Sequence, residues 1–188
     1  MPDLIRLIVP TVLLTLITFV CLSILYSLAR YLIFCIRVRS LASELALHYT
    51  QAVKLRPPTL GGFYREREVA IDYMDGCTRI RAFHDGKVAD EFTVGLDDCF
   101  ARAGLRARKL GSSNSDFEAK CSVVGNNTAG IRGYMDEYVQ SRILTAGLFF
   151  TVGRYDASVT EDGRLTDRGR LTEILDFLVE AAARADKI

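Results

Sequence analysis

Two histidines, His48 and His84, and five cysteines, Cys21, Cys35, Cys77, Cys99 and Cys121, are the side chains of this 188-residue chain best suited to nucleophilic or metal chemistry. Cys77, His84, Cys99 and Cys121 would make a four-ligand zinc set by type. Structural zinc sites, however, bring their ligands in close pairs such as C-x-x-C, and no such pair occurs. A cysteine nucleophile needs a histidine within hydrogen-bond reach, and no local signature sets one beside the other. His48 lies beside Tyr49 on a segment of helical spacing, and His84 precedes the turn signal Asp85-Gly86. Both read as surface or partly buried polar groups.

Phosphate-binding and acid/base motifs fare no better. Gly125, Gly130 and Gly133 follow neither the P-loop order nor the dinucleotide fingerprint and read as a turn before a helix. Asp97-Asp98, Asp136-Glu137 and Glu161-Asp162 are sequence neighbours, so on a regular element the two members diverge. The basic run Arg102, Arg106, Arg108 and Lys109 lacks the aromatic interleaving of a single-strand binding platform. With 24 basic against 23 acidic residues, the chain also lacks the cationic surplus that phosphate backbones select. The sequence therefore predicts no catalytic residue, no cofactor, no metal and no nucleic-acid partner.

The elements that position these residues begin with an unusual one. Leu7 to Ala29 are 23 consecutive residues without a charge, about 35 Å of helix against a hydrocarbon core of about 30 Å. A cleaved signal peptide would have a shorter apolar core and a small-residue cleavage site. Here the run continues through Arg30 and Tyr31 into more apolar residues, which predicts a retained anchor over 1–36. Its N-terminal flank offers Arg6 offset by Asp3, whereas Arg30, Arg37, Arg39, Lys54 and Arg56 follow on the other side. Positive-inside logic then places the N-terminus outside and the following domain in the cytoplasm, at the inner membrane of a cell. The odd number of cysteines beyond the anchor agrees with a reducing compartment. Thr11, Thr15 and Thr18, at i, i+4 and i+7, make a face of small residues against which a second helix could pack; the competing reading has the hydroxyls bonding their own helix carbonyls. No Asp, Glu, His or Lys interrupts the span, which excludes most ion-relay readings.

A basic connector over 37–59 follows, expected to be helical through Leu41, Leu45, Tyr49 and Ala52 or Val53 and ended by Pro57-Pro58. Residues 30–67 carry seven basic and two acidic side chains, whereas 68–188 carry 16 basic and 20 acidic. The five cations Arg30, Arg37, Arg39, Lys54 and Arg56 are thus candidates for contact with anionic headgroups, at about 1 kcal/mol each.

From residue 60 the pattern changes to short segments with turn signals at Gly61-Gly62, Asp75-Gly76, Asp85-Gly86, Asn126-Asn127 and Asp162-Gly163. Strands are expected over Glu68–Tyr73, Thr78–Phe83, Val88–Val94, Phe117–Val124, Leu148–Val152 and Asp156–Val159. Helices are expected over Asp97–Lys109, around Ile131–Val139, and after an Asp167 N-cap, where Leu171, Ile174, Leu175, Leu178, Ala182 and Ala185 form one stripe. The fold class is α+β: a single N-terminal transmembrane helix followed by an antiparallel-sheet domain with packed helices over 60–188.

Leu60-Gly61-Gly62-Phe63-Tyr64-Arg65-Glu66-Arg67-Glu68-Val69, then Thr78-Arg79-Ile80, then Asp116-Phe117-Glu118 and the C-terminal amphipathic helix resemble a diffuse group of uncharacterised prokaryotic membrane-anchored proteins. Their pattern runs G-x-Y-x-G-R-x-V, T-R-I and F-D. Glu66 stands where a glycine is usual, and Glu118 replaces the aspartate. The resemblance spans 60–188 and implies the fold alone.

These readings favour a non-catalytic accessory or assembly subunit of a larger integral membrane complex, respiratory or photosynthetic for example, with membrane-protein subunits and anionic headgroups as partners. The alternative is a membrane-tethered enzyme or ligand-sensing domain, which would gather Tyr73, Cys77, His84 or Cys99 about a concave pocket.

Overall fold

The computed structural model describes residues 2–51, 56–74, 76–86, 88 and 91–187, with side chains from Val12 onward apart from Thr128 and Ala129. The chain divides into two compact units, 1–40 and 41–188. The first is most of helix α1 (Pro2–Glu44). From Val12 it is long and apolar enough to be a candidate membrane span, with a mean hydropathy of 2.4.

The second unit is a mixed domain around one antiparallel sheet. Strands β1 (His48–Thr50), β2 (Thr59–Tyr64), β3 (Arg67–Met74) and β4 (Cys77–Phe83) form a meander. Next come β5 (Phe92–Leu96), α2 (Asp97–Ala103), α3 (Ser115–Lys120), β6 (Cys121–Gly125), α4 (Thr128–Tyr134) and α5 (Glu137–Ala146). The chain closes with β7 (Phe150–Val152), β8 (Asp156–Asp162) and α6 (Arg168–Ala185). Among the described residues the spatial order is β1-β2-β3-β4-β8-β7-β5-β6, so the last strand returns to pair with β4.

Register organises this sheet into rows. Leu60, Ile71, Ile80, Val159, Phe150, Val94 and Val123 lie opposite one another across seven successive strands, each at most 1% exposed. Helix α6 packs on β4 and β8 and buries the whole predicted stripe, with Phe177 and Ala181 added. The Phe177 ring meets Phe150 edge-on, 5.0 Å between centroids. Asp167 caps the helix as expected, its Oδ1 accepting from the Arg170 N–H at 2.7 Å.

Several local expectations fail for identifiable reasons. The 37–59 connector is not a continuous helix. Helix α1 stops at Glu44 in a Schellman closure: the Leu47 N–H donates to the Ala42 carbonyl at 2.8 Å and the Ala46 N–H to Ser43 at 3.3 Å, with Ala46 at φ 54°. His48 to Thr50 then form an edge strand, because closing the helix lets Leu45 and Leu47 bury while the backbone pairs with β2. Ala52, Val53 and Lys54 lie outside the described residues. Gly61-Gly62 is not a turn but the middle of β2. The 97–109 segment leaves the helix at Gly104, φ 66°, and its later part pairs with β6 through Arg108 and Val123. Phe117 belongs to α3, whose cap Asn114 accepts from the Asp116 and Phe117 N–H groups at 3.1 Å, and the strand begins at Cys121. The single helix expected around 131–139 is two, because Asp136 caps α5 by accepting from the Val139 N–H.

The β2–β3 hairpin turns on Arg65 and Glu66, both left-handed at φ 48° and 66°. A two-residue turn of this hand favours glycine, above all at its second position. Glu66 is the residue that replaces a glycine in the pattern noted above. Glu66→Gly should therefore raise unfolding stability by about 0.5–1 kcal/mol, read from the denaturant midpoint in detergent. An unchanged or lowered midpoint would show that the turn is not strained.

Candidate functional site

The face of the sheet opposite the apolar row carries a second row: His48, Gly61, Ala70, Arg81, Ser158, Thr151, Thr93 and Val124, one from each strand. Strand alternation forces this, because a residue adjacent to one in the buried row must point the other way. Most of its members are half-exposed, small or hydroxylated, and Arg81 is the sole residue of the row with a fixed charge. Arg81 donates from Nη2 to Asp72 Oδ2 at 2.6 Å, and its guanidinium carbon sits 5.4 Å from the Phe83 ring centroid. Its Nε is buried without a hydrogen-bond partner among the described residues. Arg79, opposite Asp72, reaches Asp156 at 3.5 Å. The Thr93 and Thr151 hydroxyls lie 3.0 Å apart. Phe63, on β2, stands 70% exposed. This is a broad face with balanced charge and hydroxyl donors, and among its described residues no nucleophile is paired with a base.

The residues singled out from sequence are dispersed. Cys77 and His84 fall at the start of β4 and just past its end, about 23 Å apart at 3.3 Å per residue. The His84 ring is buried between the Gly86 and Gly153 carbonyl oxygens, with Nδ1 and Nε2 at 3.1 and 3.3 Å, and so clasps two loops. His48 lies exposed in β1 rather than on a helix. Tyr73 faces the buried side, where burial pushes its phenol up to about 12. Cys121 is buried, and burial, reinforced by Asp97, pushes its thiol up to about 11. A thiol so shifted stays protonated and weakly nucleophilic. Among the described residues no group of three or more His, Cys, Asp or Glu side chains is placed to hold a metal ion.

The charged candidates are tied into their own domain. Asp97 accepts from Lys109 at 2.7 Å and from Ser122 at 2.6 Å, joining α2 to β6. Glu161 meets Arg170 whereas Asp162 meets Arg102, so the neighbouring carboxylates do diverge. Arg108 donates to the Gly125 and Asn126 carbonyls. The Gly130 N–H donates to the Asn127 cap, which fits the turn-and-helix reading of that glycine stretch. On α1, the Thr18 hydroxyl donates to the Leu14 carbonyl at 2.9 Å, and Thr15 is exposed beside Val12, Leu16 and Phe19 in a shallow notch. The side chain of Thr11 and all of Lys54 lie outside the described residues. Arg30, Arg37, Arg39 and Arg56 are exposed.

A solved structure shares this fold. It is the crystal structure of the mycobacterial trehalose monomycolate transport factor A, TtfA, with a TM-score of 0.57 and 14% identity over 82% of this chain and 93% of that one. No family model and no curated protein matches. At 14% identity the likeness establishes architecture alone.

Arg81, Asp72, Thr93, Thr151 and Ser158 were not singled out from sequence. Alternation in Thr78–Phe83 does place Arg79 and Arg81 on one side. Their convergence with Thr93, Thr151 and Ser158 requires knowing that β8 and β7 lie between β4 and β5, which no local pattern encodes.

Three aspartates clamp separate elements. Burial opposes their charge, but Lys109 and Ser122 hold the Asp97 carboxyl below its ordinary range. The Val139 N–H and Arg184 do the same for Asp136, as do Arg67 and the Asp85 N–H for Asp186. A depressed carboxyl contributes stability that is complete above its unfolded value, near pH 4, and is lost as pH falls through the folded value. Melting temperature should thus hold down to about pH 5 and fall steeply below about pH 4. Asp186→Asn should lower it at neutral pH and flatten that acid slope; a variant with an unchanged slope would remove Asp186 from the account.

Proposed function

We propose that this chain is a non-catalytic accessory or assembly subunit of a larger integral membrane complex. Its helix α1 lies in the bilayer as a single anchor, and its domain docks a cytoplasmic surface of a neighbouring subunit. The observation that carries this reading is the polar row centred on Arg81, mostly half-exposed although Ser158 beside it is buried, on a domain whose other ionic groups are largely spent on joining its own elements. The candidate span, with exposed Thr15 and Thr18 and no Asp, Glu, His or Lys over residues 12–36, supplies a second contact with helices of the same complex. The likeness to TtfA, whose name makes it a transport factor, adds transport machinery to the complexes this reading admits. Orientation with the N-terminus outside follows from Arg30, Arg37 and Arg39, which also favour anionic headgroups.

The test is native purification from membranes in mild detergent, with mass spectrometry of what accompanies the chain. We expect stoichiometric membrane-protein partners. Arg81→Met, which keeps the packing over Phe83, should weaken their recovery about tenfold or more, as for loss of a charged hydrogen bond. The same change should cost under about 1 kcal/mol in stability, because the Asp72 pair is partly exposed. Thr15→Leu with Thr18→Leu should weaken the association without touching the domain. A chain that migrates as a lone monomer would end this reading.

A further inference from the structure

The exposed side of α1 near its basic end is not uniform. At 100° per residue, Arg30 and Arg37 lie about 20° apart on one face, with Tyr26 beside them. The Arg30 guanidinium sits 5.7 Å over the Tyr26 ring, an Arg and Tyr pair of the kind that settles at a membrane interface. Leu25, Ala29, Leu32 and Ile36, at i, i+4, i+7 and i+11, form a second stripe about 110° round the helix from that face. There Leu25, Leu32 and Ile36 stand 62%, 60% and 68% exposed. That face turns polar at Arg39 and Ser40. The apolar surface therefore ends at Arg30 on one side of the helix and six residues later, past Ile36, on the other.

We infer that α1 crosses the bilayer strongly tilted, with Leu32 and Ile36 immersed among acyl chains while Arg30 and Arg37, on the raised face, reach the anionic headgroups. Six residues are about 9 Å along the axis, and across the roughly 8 Å between two stripes 110° apart on a helix about 10 Å wide that offset corresponds to a steep tilt, on the order of 45°. Length leaves room for such a tilt. From Leu7 to Ile33, midway between the two boundaries, the helix measures about 40 Å against a core of about 30 Å, an excess that a tilted helix absorbs. An upright helix would either leave Leu32 and Ile36 in water or drag Arg30 into the hydrocarbon. The occupant of the stripe is lipid, because the stripe runs without a break from the candidate span and ends where cations begin. The inference rests on α1 lying in a membrane, as in the proposed function, but not on any protein partner.

The chain contains no tryptophan, so single substitutions report depth cleanly. The full-length protein would be reconstituted in phosphatidylcholine and phosphatidylglycerol vesicles with brominated acyl chains. Variants Leu16→Trp, Leu32→Trp, Ile33→Trp and Ile36→Trp would be compared for quenching by bromine and by aqueous acrylamide. The tilt predicts Leu32→Trp deeper than Ile33→Trp, and Ile33→Trp and Ile36→Trp at nearly equal depth although three residues apart. A steady decline in depth from 32 through 33 to 36 overturns it. Blue-shifted emission at 32 and 36 without bromine quenching also overturns it, by showing a protein partner on the stripe. Leu16→Trp separates the failures: quenching there with the wrong order rejects the tilt alone, whereas no quenching removes the membrane anchor itself and with it the function proposed above.

Discussion

One constraint governs the soluble part of this molecule: an antiparallel sheet has two faces, and α6 is packed on β4 and β8 from one of them. Because neighbouring residues on a strand point in opposite directions, committing Leu60, Ile71, Ile80, Val159 and Phe150 to the buried side on which α6 packs commits Gly61, Ala70, Arg81, Ser158 and Thr151 to the other. Slipping any strand by one residue would exchange the two rows, placing Arg81 under α6 and Ile80 toward solvent. The energy of that exchange, an unpaired guanidinium buried and an isoleucine exposed, is what makes the register unique. The face of functional interest is thus a direct consequence of how the core is made.

The ends of α6 show how the loops are held to that core. At its C-terminus, Asp186 accepts from the Asp85 and Gly86 N–H groups and from Arg67, and a Cβ on Gly86 would strike the Ala185 carbonyl. Near its N-terminus, Arg170 joins Glu161, Glu173 and the Ala146 carbonyl, while Arg168 reaches Glu44 at 3.2 Å. Ionic groups spent in this way position backbone and are poor candidates for chemistry, since moving any one of them releases a loop. The buried His84 belongs to the same class, because its ring sits between the Gly86 and Gly153 carbonyl oxygens and donates its N–H to one of them in either tautomer.

The parts of this fold that were legible in the sequence are those determined within a single element. The α6 stripe, its Asp167 cap, β3, β4 and the β7–β8 pair all follow from periodicity and one capping residue. The parts that were not legible depend on distant chain. Phe117 alternates with its neighbours like a strand residue, yet Asn114 supplies a cap three residues earlier and Glu118 bonds the Gly111 and Ser112 N–H groups, which settles a helix. Gly61-Gly62 carries a turn composition, but β3 on one side and β1 on the other offer partners for its backbone. The candidate docking row was illegible for the same reason, since it joins eight strands whose order is not the order of the sequence.

A face of small and hydroxylated residues around one partly exposed Arg–Asp pair would bind only weakly if the domain diffused freely, because such contacts offer little apolar area and each must be desolvated first. An anchor changes that arithmetic. Confining the domain to a membrane that also holds its partner turns the second contact into an effectively intramolecular one, with an effective concentration that reaches the millimolar range for short connections. Between Arg39 and β1 the connection is short, since α1 runs to Glu44 and the first strand begins at His48. In the proposed role, neither the hydroxyl face of the helix nor the Arg81 face of the sheet has to be strong alone. Their product sets the affinity, and that requirement is consistent with a surface built from threonine, serine, alanine and glycine around a single central arginine.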